Sequence, residues 1–407
     1  MDLNFERKKD ILSVINAGDI TPTMYKNAVE KYEALSAYLI SYGMNVEIYP
    51  QGSFAFGTVV RPSAADDDAN YDLDFIAQQN CNKNECTPSE IRDNFEKALA
   101  SNAIYKERLK IYEECFTIEY AETNGVGFNI DIVPAVDESN ETKQRLKDNC
   151  RDAALIETAI AIPKHNGKRN YTWLTNNPKG LLEWFNRINA PYLAYHKNER
   201  RELIFKSYPK DFASVQDIPD ILDRSALQRV IQILKCHRNE YYAKLTDGAD
   251  LKPISALITV MVTKIASKHT PECTEFELLE YVLSEINIYS QKAVLSDVAF
   301  NQKYDNRNVL LFTDGKWYLG NPANPEDNLA DKWNQDKRIS QCFFRWITVV
   351  QRDLIASLYH DKDEKFGVSI KNAFGAKRVN QVLGTKYEKD LTPTPIKLEG
   401  ALKPYRK

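Results

Sequence analysis

Tyr71-Asp72-Leu73-Asp74-Phe75-Ile76 decides the fold, together with Gln51-Gly52-Ser53-Phe54-Ala55-Phe56-Gly57-Thr58 before it and Phe128-Asn129-Ile130-Asp131-Ile132-Val133-Pro134 after it. Side chains alternate along a strand, so Asp72 and Asp74 share one face while Leu73 and Phe75 point into a core. Two carboxylates on one strand face repel unless something positive lies between them. A divalent cation fits, because carboxylate oxygens suit Mg²⁺. The plainer reading is a solvated edge strand, but the apolar flanks favour a central one. Asp131 lies on a second strand, with Phe128, Ile130 and Ile132 on the opposite face. A lone strand acid usually faces solvent, and Asp131 gains its value from the combination. Two acids on one strand and a third on a neighbour can hold two Mg²⁺ roughly 4 Å apart, activating a hydroxyl and stabilising a pyrophosphate leaving group.

The glycines of Gly52 to Thr58 have the spacing of a phosphate-binding P-loop, but Thr58 stands where the lysine should be, which argues against a Walker-type NTPase. What remains is Gly52-Ser53 after a strand and at a helix start, where backbone N–H groups and a hydroxyl can hold phosphate oxygens. Alone, Gly-Ser is a common turn. Asp66-Asp67-Asp68 is a rival acidic cluster and reads as a solvated loop beside Pro62, Ser63 and Asn70.

The chain has 407 residues, 43% hydrophobic and 27% charged, enough for a full core and most simply two domains. Lys and Arg number 54 against 57 Asp and Glu, a net charge of −3, which argues against a dedicated nucleic-acid binder. The first ten residues lack an apolar signal core, and the longest apolar run, Ile254 to Val262, is too short to span a bilayer. Seven cysteines without a CxxC pair suit free thiols in a reducing cytosol. Cys81 and Cys86 read as structural, since no further Cys or His follows at zinc-site spacing.

Periodicity predicts a helix over Thr21 to Gly43, with Thr21 as cap, and then a strand at Val46 to Tyr49. Further on it predicts a strand at Tyr71 to Ala77, a helix over Pro88 to Ala103, and a strand pair joined at Asn124-Gly125. Ile160 to Ile162 and Tyr171 to Trp173 pair around a polar segment, Lys164 to Asn170. Beyond Asn177-Pro178 the pattern turns helical, including Ala226 to Tyr241, Ile254 to Ala266, Glu275 to Ile288 and Ile339 to Leu358. A small hairpin is expected around Asp314-Gly315. The expected division is a core over 1–177, a helical domain over 178–385 and a mobile tail over 386–407.

Gln51-Gly52-Ser53, Asp72-x-Asp74 and Asp131 together resemble the signature of the polymerase-β-like nucleotidyltransferase superfamily. Leu227 to Arg238, Lys252-Pro253-Ile254-Ser255, Asn321 to Leu329 with Trp333, and Asn176 to Gly180 with Glu183 to Phe185 narrow the resemblance. The series looks like the bacterial cGAS/DncV-like nucleotidyltransferases, the CD-NTases of CBASS anti-phage defence, and more distantly like animal cGAS and the oligoadenylate synthases. It runs from about Tyr49 to Trp346.

The resemblance implies an α+β fold, in which a polymerase-β-like nucleotidyltransferase core with a mixed sheet joins a C-terminal helical domain of the oligoadenylate synthase type. It implies a cytosolic synthase of a cyclic di- or trinucleotide, made from NTPs with ATP among them, that acts on a downstream effector and works beside CBASS accessory proteins. By motif match, Gln51, Gly52 and Ser53 bind the donor nucleotide. Asp72, Asp74 and Asp131 hold two Mg²⁺ ions, which Mn²⁺ can replace, and Asp131 helps deprotonate the acceptor hydroxyl. Lys235 matches the lysine that reaches the triphosphate and Ser255 the serine beside it. On the residues alone, Lys235 reads as a surface helix lysine and Ser255 as an N-cap. His237 and the Asn321 to Asn328 loop read as structural, and Lys403 to Lys407 as a solvated tail. No cysteine/histidine zinc insertion is present, so direct DNA sensing is not expected, and the C-terminal residues carry no sign of conjugation to a target. Base choice is assigned to Lys164 to Trp173, with Asn166 and Asn170 as the residues to test. Two other readings compete: an RNA- or oligoadenylate-type enzyme making linear products, and an inactive nucleotide-binding regulator.

Overall fold

Two helices lead into the sheet, α1 (Leu3–Asn16) and α2 (Pro22–Ser41). The Thr21 hydroxyl caps α2 by accepting the Met24 N–H at 3.2 Å, and Pro22 occupies the first turn, where a missing N–H costs nothing. β1 (Val46–Pro50), a single turn of helix α3 (Gly52–Ala55) and β2 (Tyr71–Asn82) follow. This computed structural model describes residues 3–60, 71–123, 126–166, 171–304 and 308–388. Asp66 to Asp68, the Asn124-Gly125 turn, Asn170 and the tail from residue 389 therefore lie outside the described residues.

The predicted helix over Pro88 to Ala103 divides at Asn102. α4 (Pro88–Ser101) ends there, and the Asn102 side chain accepts the N–H groups of Ile104 and Tyr105 to start α5 (Ala103–Arg108). β3 (Leu109–Ile111), β4 (Phe116–Thr123), β5 (Val126–Asp137), α6 (Asn140–Asp148), β6 (Ile160–His165) and β7 (Tyr171–Asn176) complete this half. The strands form one seven-stranded sheet in the order β1-β2-β5-β4-β3, with β6 on the far end of β5 and β7 on β6. β2 and β5 run parallel and every other pairing is antiparallel, so the sheet is mixed. The apolar alternation of β2 works as predicted: Leu73 and Phe75 are buried in a core shared with α2 and α4, and β2 is central.

The second half is helical: α7 (Pro178–Ala194), α8 (Lys197–Ser207), α9 (Ala226–Ala243), α10 (Gly248–Leu251), α11 (Ser255–Ala266) and α12 (Glu275–Ser290). α13 (Asp297–Tyr304) precedes the small hairpin β8 (Leu311–Thr313) and β9 (Lys316–Tyr318), and β10 (Gly320–Asn321) pairs with β11 (Asn324–Asn328). α14 (Asp331–Gln335), α15 (Lys337–Val350), α16 (Asp363–Phe374) and α17 (Ala376–Leu383) are the last helices among the described residues. Most of α9 is buried, and α1 packs into the same core through Ile11, Val14 and Ile15.

The helix predicted over Ile339 to Leu358 changes its winding after α15. Gln351–Ile355 form a π turn and Ala356–Tyr359 a 3₁₀ turn. Such bulges turn a side chain to a face it would otherwise miss. Here the buried Asp353 faces His237 Nε2 at 3.4 Å, and Trp346 Nε1 donates to His237 Nδ1 at 3.1 Å. Burial pushes the His237 pKa down against the opposing pull of Asp353, and the imidazole is a packed core group, in keeping with its structural reading.

The Asn321 to Asn328 segment is also a packing element. Asn177 Nδ2 donates to the carbonyls of Leu155 at 2.8 Å and Ala323 at 2.9 Å, and Asn324 Nδ2 to that of Thr175 at 3.2 Å. These bonds pin the helical half to the end of the sheet. Among the described residues, no helix is long and apolar enough to cross a membrane.

Candidate active site

The parallel pairing of β2 and β5 sets the acids side by side. Asp74 is the register partner of Asp131, and Asp72 that of Asn129. Asn129 Nδ2 donates to Asp72 Oδ1 at 3.1 Å. On the other side, Thr117 of β4 is in register with Asp131 and its hydroxyl donates to Asp131 Oδ1 at 2.5 Å. Two of the three carboxylates are thus oriented by polar neighbours on adjacent strands.

The Gly52-Ser53 turn lies directly against these acids. Gln51 N–H donates to the Asp74 carbonyl at 2.8 Å. Gly52 has φ +59, and a Cβ there would sit 2.6 Å from Asp74 Oδ2. Both conformation and space favour glycine at this position. Ser53 is the second residue of α3, whose first N–H groups have no partner within a single turn. The Ser53 hydroxyl makes no hydrogen bond among the described residues.

α9 closes the turn from the other half of the molecule. Gln228, Gln232 and Lys235 fall at i, i+4 and i+7, on one helix face. Gln228 Nε2 donates to the Phe56 carbonyl and Gln232 Nε2 to the Val59 carbonyl, both at 2.8 Å. Lys235 Nζ donates to Thr58 Oγ1 at 3.0 Å and to its carbonyl at 3.3 Å. Thr58 occupies the place where a P-loop would carry its lysine, and here the ammonium arrives from a helix 177 residues later. Gln228 also completes the N-terminal cap of α9, its Oε1 accepting the Ser225 N–H at 2.9 Å. Lys235 is almost fully buried, so its reading as a surface lysine fails.

Ser255 is placed differently from the expectation. The N-cap of α11 is Ile254, and Ser255 is its first helical residue without a capping bond. Its hydroxyl accepts from Arg238 Nη1 at 3.0 Å. No hydrogen bond links it to the Gly52–Thr58 turn among the described residues. Arg238, one turn beyond Lys235 on α9, ties Ser255 and the Pro253 carbonyl to that helix, a link with no signal in the local sequence. Thr117, Asn129, Gln228 and Gln232 also escape sequence reading. Only the spacing of Gln228, Gln232 and Lys235 offered a hint.

Charge is frustrated here. Burial pushes the Asp74 pKa up to about 7, with Asp131 and Asp72 adding to the rise and Lys235 opposing it. Burial and then Asp72 raise Asp131 as well, opposed by the Thr117 hydrogen bond. Burial pushes Lys235 down to about 7, and the neighbouring Arg238 adds to this. A divalent cation would relieve the clustered acids, and an anionic phosphate would relieve Lys235. The donor set is therefore chemically suited to a hard cation, although no three such side chains among the described residues already converge as a metal cage.

Residues 46–134 match the family described as cyclic GMP-AMP synthase DncV-like, nucleotidyltransferase domain. The chain is 23% identical over 347 residues to a c-di-GMP synthase of Roseivirga ehrenbergii, covering 83% of this chain and 76% of that protein. It is 26% identical over 235 residues to the cyclic dinucleotide synthase CdnG of Bradyrhizobium diazoefficiens, covering 56% of this chain and 51% of that one. The solved structure of that CD-NTase, CdnG in complex with GTP, superposes with a TM-score of 0.66 at 20% identity, over 94% of this chain and 99% of the other, and so shares its fold. With its α+β architecture and its match to a DncV-like nucleotidyltransferase domain over residues 46–134, this chain resembles cyclic dinucleotide synthases of the CD-NTase type and shares their fold.

Proposed function

We propose that this protein joins NTPs into a cyclic di- or trinucleotide, releasing pyrophosphate at each transfer, in a reaction that depends on divalent cations. The observation that carries the reading is the assembly of Asp72, Asp74 and Asp131 on paired strands against a Gly-Ser turn that Lys235 braces at Thr58. Its similarity to two cyclic dinucleotide synthases supports the choice of cyclic over linear or RNA-attached products.

In each transfer a ribose hydroxyl oxygen bonds to the α-phosphorus of the donor, and the bond from that phosphorus to the bridging oxygen breaks as pyrophosphate leaves. Such a reaction needs positioning and charge neutralisation more than covalent catalysis. The Ser53 hydroxyl, the backbone N–H groups at the start of α3 and the Lys235 ammonium bind the donor phosphates. Asp131, oriented by the Thr117 hydroxyl, accepts the proton of the attacking hydroxyl in this reading. Asp72, Asp74 and Asp131 would hold Mg²⁺, two ions in the full site, with Mn²⁺ able to replace it; bound there, the metal would polarise the α-phosphate and neutralise the leaving group. Ser255 acts through Arg238, as a positioning residue.

The core ends near Asn177 and the helical domain begins at α7, with the substrate cleft between them. The proposed setting is the bacterial cytosol, in anti-phage defence of the CBASS type, where the product switches on an effector and accessory proteins control the enzyme. The Asp72→Ala/Asp74→Ala double variant tests the reading. It should fold and release no pyrophosphate from NTPs, and retained synthesis would remove these acids from the mechanism.

A further inference from the structure

Away from the acids and the Gly52–Thr58 turn, the molecule has a cavity of about 400 Å³, within the range of small-molecule sites. It opens on the seam between the two halves. Its walls come from the segment after α6, from α7, from the end of α11 and from the hairpins β8 to β11. None of its lining residues belongs to the cleft. Asp131 and Asp137 are separated along β5 by roughly 20 Å at the rise of a strand, and in the sequence α6 follows Asp137 before the chain reaches the first lining residue, Asn149.

The lining is positive. Arg151, Lys264 and Lys268 face a single carboxylate, Asp152, which is already paired with Arg187. Arg151 and Lys268 have no side-chain partner among the described residues. Lys264 is largely buried and is tied to one neutral group, the Gly320 carbonyl at 2.5 Å. Burial and the neighbouring Arg151 push its pKa down to about 8, which an anion would reverse. Two aromatic rings, Trp184 and Tyr318, line the same space. Tyr318 is fixed by its hydroxyl, which donates to the Pro325 carbonyl at 2.8 Å. Uncompensated cations beside aromatic faces suit a flat ring carrying phosphate.

We propose that this cavity is a second nucleotide site, which takes a nucleoside phosphate with its phosphates on Arg151, Lys264 and Lys268 and its base against Trp184 and Tyr318. The site stands on its own lining and does not depend on the reading of the cleft. α11 carries Lys264 in its last turn and Ser255 at its first, where Ser255 meets Arg238 of α9. A nucleotide here would also brace the core against the helical half.

The test is titration of the full chain with GTP in EDTA, which weakens any metal-dependent binding in the cleft and stops turnover. Wild type should bind GTP with an affinity that falls as salt rises. Arg151→Ala/Lys268→Ala changes two exposed side chains and should fold normally; it should lose about tenfold or more in that affinity. The Asp72→Ala/Asp74→Ala variant should keep the affinity while losing synthesis, so the two sites fail separately. Binding in EDTA that is untouched by Arg151→Ala/Lys268→Ala but abolished by Lys235→Met would overturn the proposal. So would the absence of GTP binding to wild type in EDTA.

Discussion

Gly52→Ala perturbs the site without removing any of its chemical groups. The added Cβ would lie 2.6 Å from Asp74 Oδ2, while ordinary contact starts at 3.4 Å, so the carboxylate must retreat by about 0.8 Å. The backbone at φ +59 adds strain of roughly 1–2 kcal/mol for an L-residue. A displacement of about 1 Å at a reacting centre costs on the order of 10²-fold in rate. The expected result is a fall of about 10²-fold in pyrophosphate release from GTP and ATP with Mg²⁺, and a drop of a few degrees in the unfolding midpoint. Gly43→Ala is the control, since Gly43 also has a positive φ, +97, but a Cβ there meets nothing within 4 Å. That variant should lose a similar amount of stability and keep its activity. Gly52→Ala synthesis within about threefold of wild type would refute the placement of Asp74 against this turn as a catalytic constraint.

Asp74→Asn should stabilise the metal-free protein at pH 8. The raised Asp74 pKa means that the folded state holds its proton where the unfolded chain has lost it, so wild-type stability on this account falls from about pH 4 to about pH 7. The gain from asparagine in thermal melts should therefore shrink as the pH is lowered to about 5 and vanish near pH 4; a gain independent of pH would contradict the assigned cause. For the same reason, Mg²⁺ or Mn²⁺ affinity measured calorimetrically should rise between pH 6 and 8 as binding displaces the proton, and a flat profile would count against Asp74 as a ligand. Gln228→Leu and Gln232→Leu each leave a buried carbonyl unpaired, Phe56 in the nucleotide turn and Val59 just after it, at about 1–3 kcal/mol. Both should raise the KM for NTP more than they lower kcat in steady-state assays, and an unchanged KM would detach α9 from substrate binding.

The acid signature was legible because strand alternation is local. Leu73 and Phe75 inside, with Asp72 and Asp74 sharing the other face, follow from period two alone. The caps at Thr21 and the exit from β1 into Gly52-Ser53 were readable for the same reason. What joins distant segments was not. The parallel register that sets Asp74 beside Asp131 depends on how β5 crosses back to β2. Lys235 looks like a surface lysine until the turn it binds is brought to it, and Arg238 shows no link to Ser255 until α11 packs on α9. The break at Asn102 and the π turn after Val350 arise from one side chain each, Asn102 as a cap and Asp353 as a buried partner of His237, which periodicity averages away.

The central claim is cyclisation. Purified protein incubated with all four NTPs and Mg²⁺, digested with phosphatase and examined by mass spectrometry, tests it most directly. The account predicts a phosphatase-resistant product without free ends, whose mass names its bases and ring size. Products that are only linear or attached to RNA, or none with either Mg²⁺ or Mn²⁺, would contradict it.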